Sequence, residues 1–237
     1  MGLNTFTFNG VSSATHGIYV GGQGTYNAPQ RDVTKVAIAG RNGDLIKDNG
    51  RWLNIEVPYN VVIMDNFQTT TDALKAWLLA PTGYARLEDT YHPNSYRMAR
   101  YVGGTEFETS AWNKTGKGQV IFDCKPQRWL TSGETEITAV SGNNVNNPTS
   151  FDSLPWIRIT CTGSGTLNIG SYTVEVTGIS TYVDIDCELQ DCYADTTNLN
   201  DKVTLAHGFP VLHSGNNLIS WTGNITGVKI KGRWFTL

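Results

Sequence analysis

Polar and apolar residues alternate along most of this chain. Thr5-Phe6-Thr7-Phe8 puts two phenylalanines on one face and two threonines on the other before Asn9-Gly10 stops the run, which is the period of a strand with one buried side. Residues 33–39 and 53–64 carry a similar pattern, and Pro58 is expected to split the second run or mark a sheet edge. Between them lies AIAGRNGDLIKDNGRWLNIEV, residues 37–57, with Asn42-Gly43 and Asn49-Gly50 seven positions apart. Asn-Gly suits the two left-handed residues of a type I′ turn, so two hairpin turns in quick succession are predicted. The ribbon between them, residues 44–48, is too short to hold a core of its own and must lean on another surface.

One segment departs from the period of two. Leu74, Trp77 and Leu78 fall on one face at helical spacing, Thr69-Thr70-Thr71-Asp72 resembles a capping box with Asp in place of Glu, and Pro81-Thr82-Gly83 ends the run. A helix over about residues 70–80 is predicted. Two aromatic-rich strands follow at 84–89 and 96–102, separated by the turn His92-Pro93-Asn94, then a strand pair over 107–123 turning at 113–118.

Composition shifts after Lys125-Pro-Gln-Arg-Trp-Leu-Thr-Ser-Gly133 and again in SGNNVNNPTS, residues 141–150, a run of turn formers with no apolar period. A boundary near residue 131 divides the chain into 1–131 and 132–237. Short apolar runs at 155–162, 165–169, 172–176 and 181–189, each bounded by glycine or a polar turn, predict an all-β sandwich for the second part. The alternating tail over 228–235 either closes that second sheet or returns to the first domain. The fold class is mainly β, in two domains, with one helix.

Composition narrows the partners more than the chemistry. The 237 residues carry 18 basic and 21 acidic side chains, a net charge of −3, with no run of one sign, which argues against a nucleic-acid or membrane surface. No apolar stretch approaches the roughly 20 residues that span a bilayer, and the start MGLNTFTFNG lacks the regions of a signal peptide, so a soluble chain made in the cytoplasm is expected. Met1-Gly2 is not followed by the Ser or Thr that a myristoylation signal needs, because Phe6 stands there. Cys124, Cys161, Cys187 and Cys192 fit no zinc-ligand spacing and read as buried thiols.

Few constellations suggest catalysis. Asp184, Asp186 and Glu188 alternate along one strand, placing carboxylates on one face about 7 Å apart, as a calcium site or a glycosidase acid pair would need. The plainer expectation is a half-buried strand whose polar face meets water. His16, His92, His207 and His213 sit in loop-like settings without a known motif, and the glycines at 21–24 and 163–165 lack the helix and Lys-Ser/Thr of a phosphate loop. Trp112, Trp156 and Trp221 lie beside turn signals, where an exposed ring would stack on a sugar or pack against a subunit. No cofactor and no metal is expected.

The ordered set of motifs carries a family resemblance. IAGRNGDL and DNGR, the helix ending in AWL, YARLEDTYHPNSYRMARY, FDCKPQRWLTSG, Asn147-Pro148 and the late GFPVLHSGNNLISWTGNITGVKIKGRW together resemble the distal tail (Dit) proteins of long-tailed, non-contractile phages, over nearly the whole chain. That resemblance implies an N-terminal β-sandwich-like domain that forms a hexameric ring and a C-terminal galectin-like β-sandwich. It implies a non-enzymatic hub at the virion tail tip, joining the tail tube protein and tape measure to the tip protein and receptor-binding proteins, with the genome passing through the ring. A galectin-like fold also leaves a carbohydrate-binding module for host cell-wall saccharides as the alternative.

A ring needs two different complementary surfaces on each subunit. The ribbon offers unpaired strand edges, and edge addition to a neighbour's sheet is an economical contact. Gly40, Arg41, Asn42, Gly43, Asp44, Leu45 and Arg51 are therefore candidate interface residues. Arg86, Glu88, Asp89, Arg97 and Arg100, in the strands after the helix, are candidates for ion pairs within or between subunits, with a solvated face as the plainer reading.

Overall fold

The computed structural model describes residues 3–22, 24, 26–110 and 112–237. Met1-Gly2, Gln23 in the 21–24 glycine run and Ala111 in the 107–123 strand pair lie outside the described residues. The chain divides into two compact units, Met1–Arg128 with Leu237, and Trp129–Thr236.

The first unit contains β1 (Phe6–Phe8), β2 (Val11–Ser12), β3 (Ile18–Gly21), β4 (Arg31–Val36), β5 (Leu45–Trp52), β6 (Ile55–Ile63), α1 (Phe67–Leu79), β7 (Ala85–Asp89), β8 (Ser95–Tyr101), β9 (Phe107–Ser110) and β10 (Thr115–Cys124). Its main sheet runs β2-β1-β7-β8-β10-β6-β3, with β9 also on β10. A bridge between Asn4, just ahead of β1, and Val20 in β3 draws the ends of that order together. The sheet therefore curls around its core. Alternation decides which side is inside: Ile55, Val57, Tyr59, Val61 and Ile63 of β6 face inward, as do Phe6 and Phe8 of β1, both fully buried. Each such side chain contributes about 1.5–3 kcal/mol of burial.

Helix α1 closes this core with Leu74 and Leu78, while Trp77 stacks on Phe6 at 5.6 Å and donates from Nε1 to the Phe8 carbonyl at 3.3 Å. The helix begins three residues earlier than its capping box predicted. Asn66, in a left-handed conformation, is the N-cap and makes no side-chain cap bond, so Thr69 lies within the first turn. Pro58 does not break β6, which pairs continuously with β10 from Ile55 to Ile63. On its other side β3 pairs only with Asn60 to Ile63, so Pro58 lies beyond that ladder and its missing N–H costs no ladder bond there. The turn between β9 and β10 comes at residues 112–114 rather than 113–118, because the strand resumes at Thr115.

The second unit contains β11 (Arg128–Leu130) from Trp129 on, β12 (Glu136–Thr138), β13 (Asn143–Asn147), β14 (Trp156–Ile169), β15 (Tyr172–Ile179), β16 (Tyr182–Asp186), β17 (Asp191–Ala194), β18 (Thr197–Asn198), β19 (Val203–Leu205), β20 (Gly215–Lys231) and β21 (Phe235–Thr236). The runs expected as separate strands at 155–162 and 165–169 are one strand of 14 residues, bent where its register with β15 and β20 shifts near Gly163. Gly163 and, across the shift, Gly223 both have positive φ, which glycine adopts without penalty. Before the bend β14 pairs with β16, and after it with β15. One sheet thus folds over a shared core that includes Ile157, Leu167, Ile185, Ile219 and Ile230.

Two further expectations change here. The turn-rich stretch 141–150 contains a strand, β13, which pairs with the start of β20 and buries Val145 and Asn147. Asn147 is tolerated inside because its Nδ2 donates to the carbonyls of Phe151 and Leu212. The tail divides: β20 lies beside β14 in the second sheet, and the short β21 pairs with β11.

Candidate functional site

β4 and β5 form a two-stranded sheet of their own. From Thr34 to Arg51 every residue is exposed, including Val36 (45%), Leu45 (49%) and Ile46 (62%), and none of these three belongs to the core. An isolated hairpin of this kind is marginal in water. It projects as an arm roughly 25 Å long, taking about 3.3 Å per residue.

The arm is a single hairpin, not the predicted pair. Its strands pair from Val36–Leu45 to Val33–Asp48, and residues 37–44 make the tip. Neither Asn42 nor Asn49 has positive φ, so neither Asn-Gly forms a type I′ turn. Asn42-Gly43 sits in the tip, where Arg41 N donates to the Ile38 carbonyl. Asn49-Gly50 lies inside β5 as a bulge: the register resumes at Arg31–Trp52, so Asn49, Gly50 and Arg51 oppose Asp32 alone, with Gly50 at φ 78°.

Two carboxylates hold that bulge. Asp32 accepts from Asn49 Nδ2 at 3.0 Å and from Arg51 Nε at 2.6 Å. Asp48 accepts from the Gly50 amide at 2.7 Å and from Arg31 Nε at 2.8 Å, while the Arg31 guanidinium covers the Trp52 ring at 4.8 Å. The Asn49 and Arg51 hydrogen bonds hold the Asp32 carboxyl below the usual range, and the Gly50 amide followed by Arg31 does the same for Asp48. The sequence contains all seven residues, but nothing in it identifies the bulge. The repeated Asn-Gly read equally well as a turn.

The other charged candidates do not gather into one surface. Arg86 Nε donates to Glu88 at 2.6 Å and its guanidinium lies over Tyr96. Arg100 meets Asp123 at 3.0 Å on the surface. Asp89 turns inward instead, accepting from the Tyr59 hydroxyl at 2.7 Å and from the His92 amide at 2.8 Å. Arg97 is buried and donates from Nη1 to the Pro126 carbonyl at 2.7 Å. The last two brace the first unit from within.

Asp184 and Asp186 also depart from expectation, because the face they share does not meet water. Both are buried, Asp184 held by Arg158 at 2.6 and 2.7 Å and Asp186 by Arg233 through two bonds of 2.7 Å. Burial raises the Asp186 pKa, but Arg233 and the Leu189 and Glu188 amides outweigh it and leave the carboxyl below its ordinary value. Each carboxylate is thus paired with a guanidinium rather than presented to solvent. Among the described residues no group of three or more His, Cys, Asp or Glu is disposed to hold a metal ion. The cysteines are buried and free, and burial pushes the Cys124 thiol up to about 12.

Of the three tryptophans, Trp156 is buried and Trp221 half-buried against the second core. Trp112 alone is open to solvent, at 96% exposure and φ 62° on the β9–β10 turn.

No protein-family model matches the sequence, and no curated protein matches it. Solved structures do. Chains of the phage p2 baseplate in its activated conformation, with strontium and with calcium, align at TM-scores of 0.51 and 0.50 and 10% identity, each over 97% of both chains. The crystal structure of SPP1 Dit (gp 19.1), described as a paradigm of the hub adsorption apparatus in phages infecting Gram-positive bacteria, aligns at a TM-score of 0.77 and 16% identity over 97% of both chains. Across nearly its whole length, this chain has the two-domain β fold of a phage distal tail (Dit) protein.

Proposed function

We propose that the protein is a structural hub of a phage tail tip. It assembles as a homo-hexameric ring that joins the tail tube and tape measure to the tip protein and receptor-binding components, with the genome passing through the centre. The fold shared with a hub adsorption protein supports this role. The observation that carries it on this chain is the arm: an edge-exposed hairpin that leaves Val36, Leu45 and Ile46 open to solvent, with a stapled bulge and no core beneath it. Such a surface is incomplete in a monomer and suits edge addition to an adjacent copy, with Gly40 to Arg51 as the contact. A hub needs no catalytic group. Light scattering followed by negative-stain images tests the reading: closed six-membered rings support it, and a particle no larger than a dimer at every concentration refutes it.

The carbohydrate reading rests on Trp112, whose ring is free to stack on a sugar. It requires saturable binding of host-wall saccharide that Trp112→Ala abolishes.

A further inference from the structure

Inside the first unit, Tyr59, Asp89, His92, Ser95, Arg97 and Arg128 line a small cavity with a volume of about 10 Å³, room for a single small species. Arg97 is only 5% exposed, and its Nη1 donates to the carbonyls of Lys125 (3.4 Å) and Pro126 (2.7 Å). Its Nε is buried without any hydrogen-bond partner. A guanidinium N–H left unpaired in a buried site costs several times what an ordinary missing bond does.

No neighbour accepts from Arg97 Nε. Asp89 is the one carboxylate on the wall, and its oxygens already receive the Tyr59 hydroxyl, the His92 amide and, at 3.0 Å, His92 Nδ1. The Ser95 hydroxyl is turned to the His92 carbonyl. Two guanidinium groups therefore share the cavity with a single carboxylate that already accepts three hydrogen bonds.

We infer that this cavity is a binding site for one small monatomic anion of the chloride class, held between Arg97 Nε and the Arg128 guanidinium. An anion answers both deficits at once, the unpaired donor and the uncompensated positive charge, whereas a water molecule answers only the first. Burial first, and Arg128 second, lower the Arg97 pKa to about 10, the direction that an anion between them relieves. Arg128 lines the cavity and the Lys125 and Pro126 carbonyls accept from Arg97, so a bound anion fastens the segment where the chain leaves the first unit.

Crystals of the full chain grown in bromide test the site directly. The expected result is one anomalous peak in the cavity at hydrogen-bonding distance from Arg97 Nε. In solution, exchanging gluconate for chloride at constant ionic strength raises the thermal midpoint by about 2–4 °C, as linkage predicts for a ligand that binds only the folded state. Arg128→Gln, at a half-buried position, removes that response. An empty or water-filled cavity in bromide overturns the inference, as does an equal chloride response in Arg128→Gln. Should that variant not fold, the bromide peak decides alone.

Discussion

Arg51 donates to one oxygen of Asp32 at 2.6 Å while Asn49, two residues earlier on the same strand, donates to the other at 3.0 Å. One carboxylate on β4 thus holds both ends of a three-residue stretch of β5 that has no partners in the ladder, while Gly50 between them donates to Asp48. Asp32→Ala is expected to leave the global melting midpoint unchanged, because the arm has no core, yet to speed amide exchange across residues 45–52. Acid should imitate the substitution. The Asp32 and Asp48 carboxyls titrate below their ordinary value of 3.8, so the staple is intact above that value and is lost as pH falls through the lower, folded pKa.

Gly50 separates conformation from packing. A Cβ added there meets nothing within 4 Å, so any penalty is backbone strain at φ 78°. Gly50→Val is expected to cost about 1–2 kcal/mol within the arm and to weaken ring assembly, whereas Gly50→Asn, which tolerates the left-handed region, keeps it. Equal assembly of the two variants by size-exclusion chromatography would count against a role for the bulge.

Arg233 and Asp186 make the converse case in the second unit. Asp186→Asn leaves a half-buried guanidinium without its charge partner and is expected to cost about 3–5 kcal/mol in denaturant unfolding. The pair's contribution is present above pH 3.8 and lost as pH falls through the depressed folded value, so the variant should show a flatter acid limb than the parent.

Trp112 carries a left-handed backbone under a ring that touches almost nothing. Trp112→Gly is expected to raise stability by up to about 1 kcal/mol by relieving that conformation. A loss of more than about 1 kcal/mol on thermal unfolding would mean that the ring packs against something.

What was legible in the sequence follows the strength of each local signal. Leu74 and Leu78 at helical spacing found α1, and Phe6 and Phe8 at strand spacing found the buried face of β1, because burial periodicity is written into consecutive residues. Asn49-Gly50 misled because glycine at positive φ serves a bulge as readily as a turn, and only the register of a distant strand decides between them. Asp184 and Asp186 were misread for a related reason. Their partners Arg158 and Arg233 lie 26 and 47 residues away, and no periodicity reports a long-range ion pair. The Arg97 cavity was equally invisible, since it exists only where β6, β7, β8 and Arg128 meet.

The most direct test of hub assembly through the arm is native mass spectrometry of the full chain beside a chain lacking residues 41–47. The expected pair of results is a six-copy particle for the first and dissociated subunits, folded by circular dichroism, for the second. Intact six-copy rings from the shortened chain would contradict the role given to the arm.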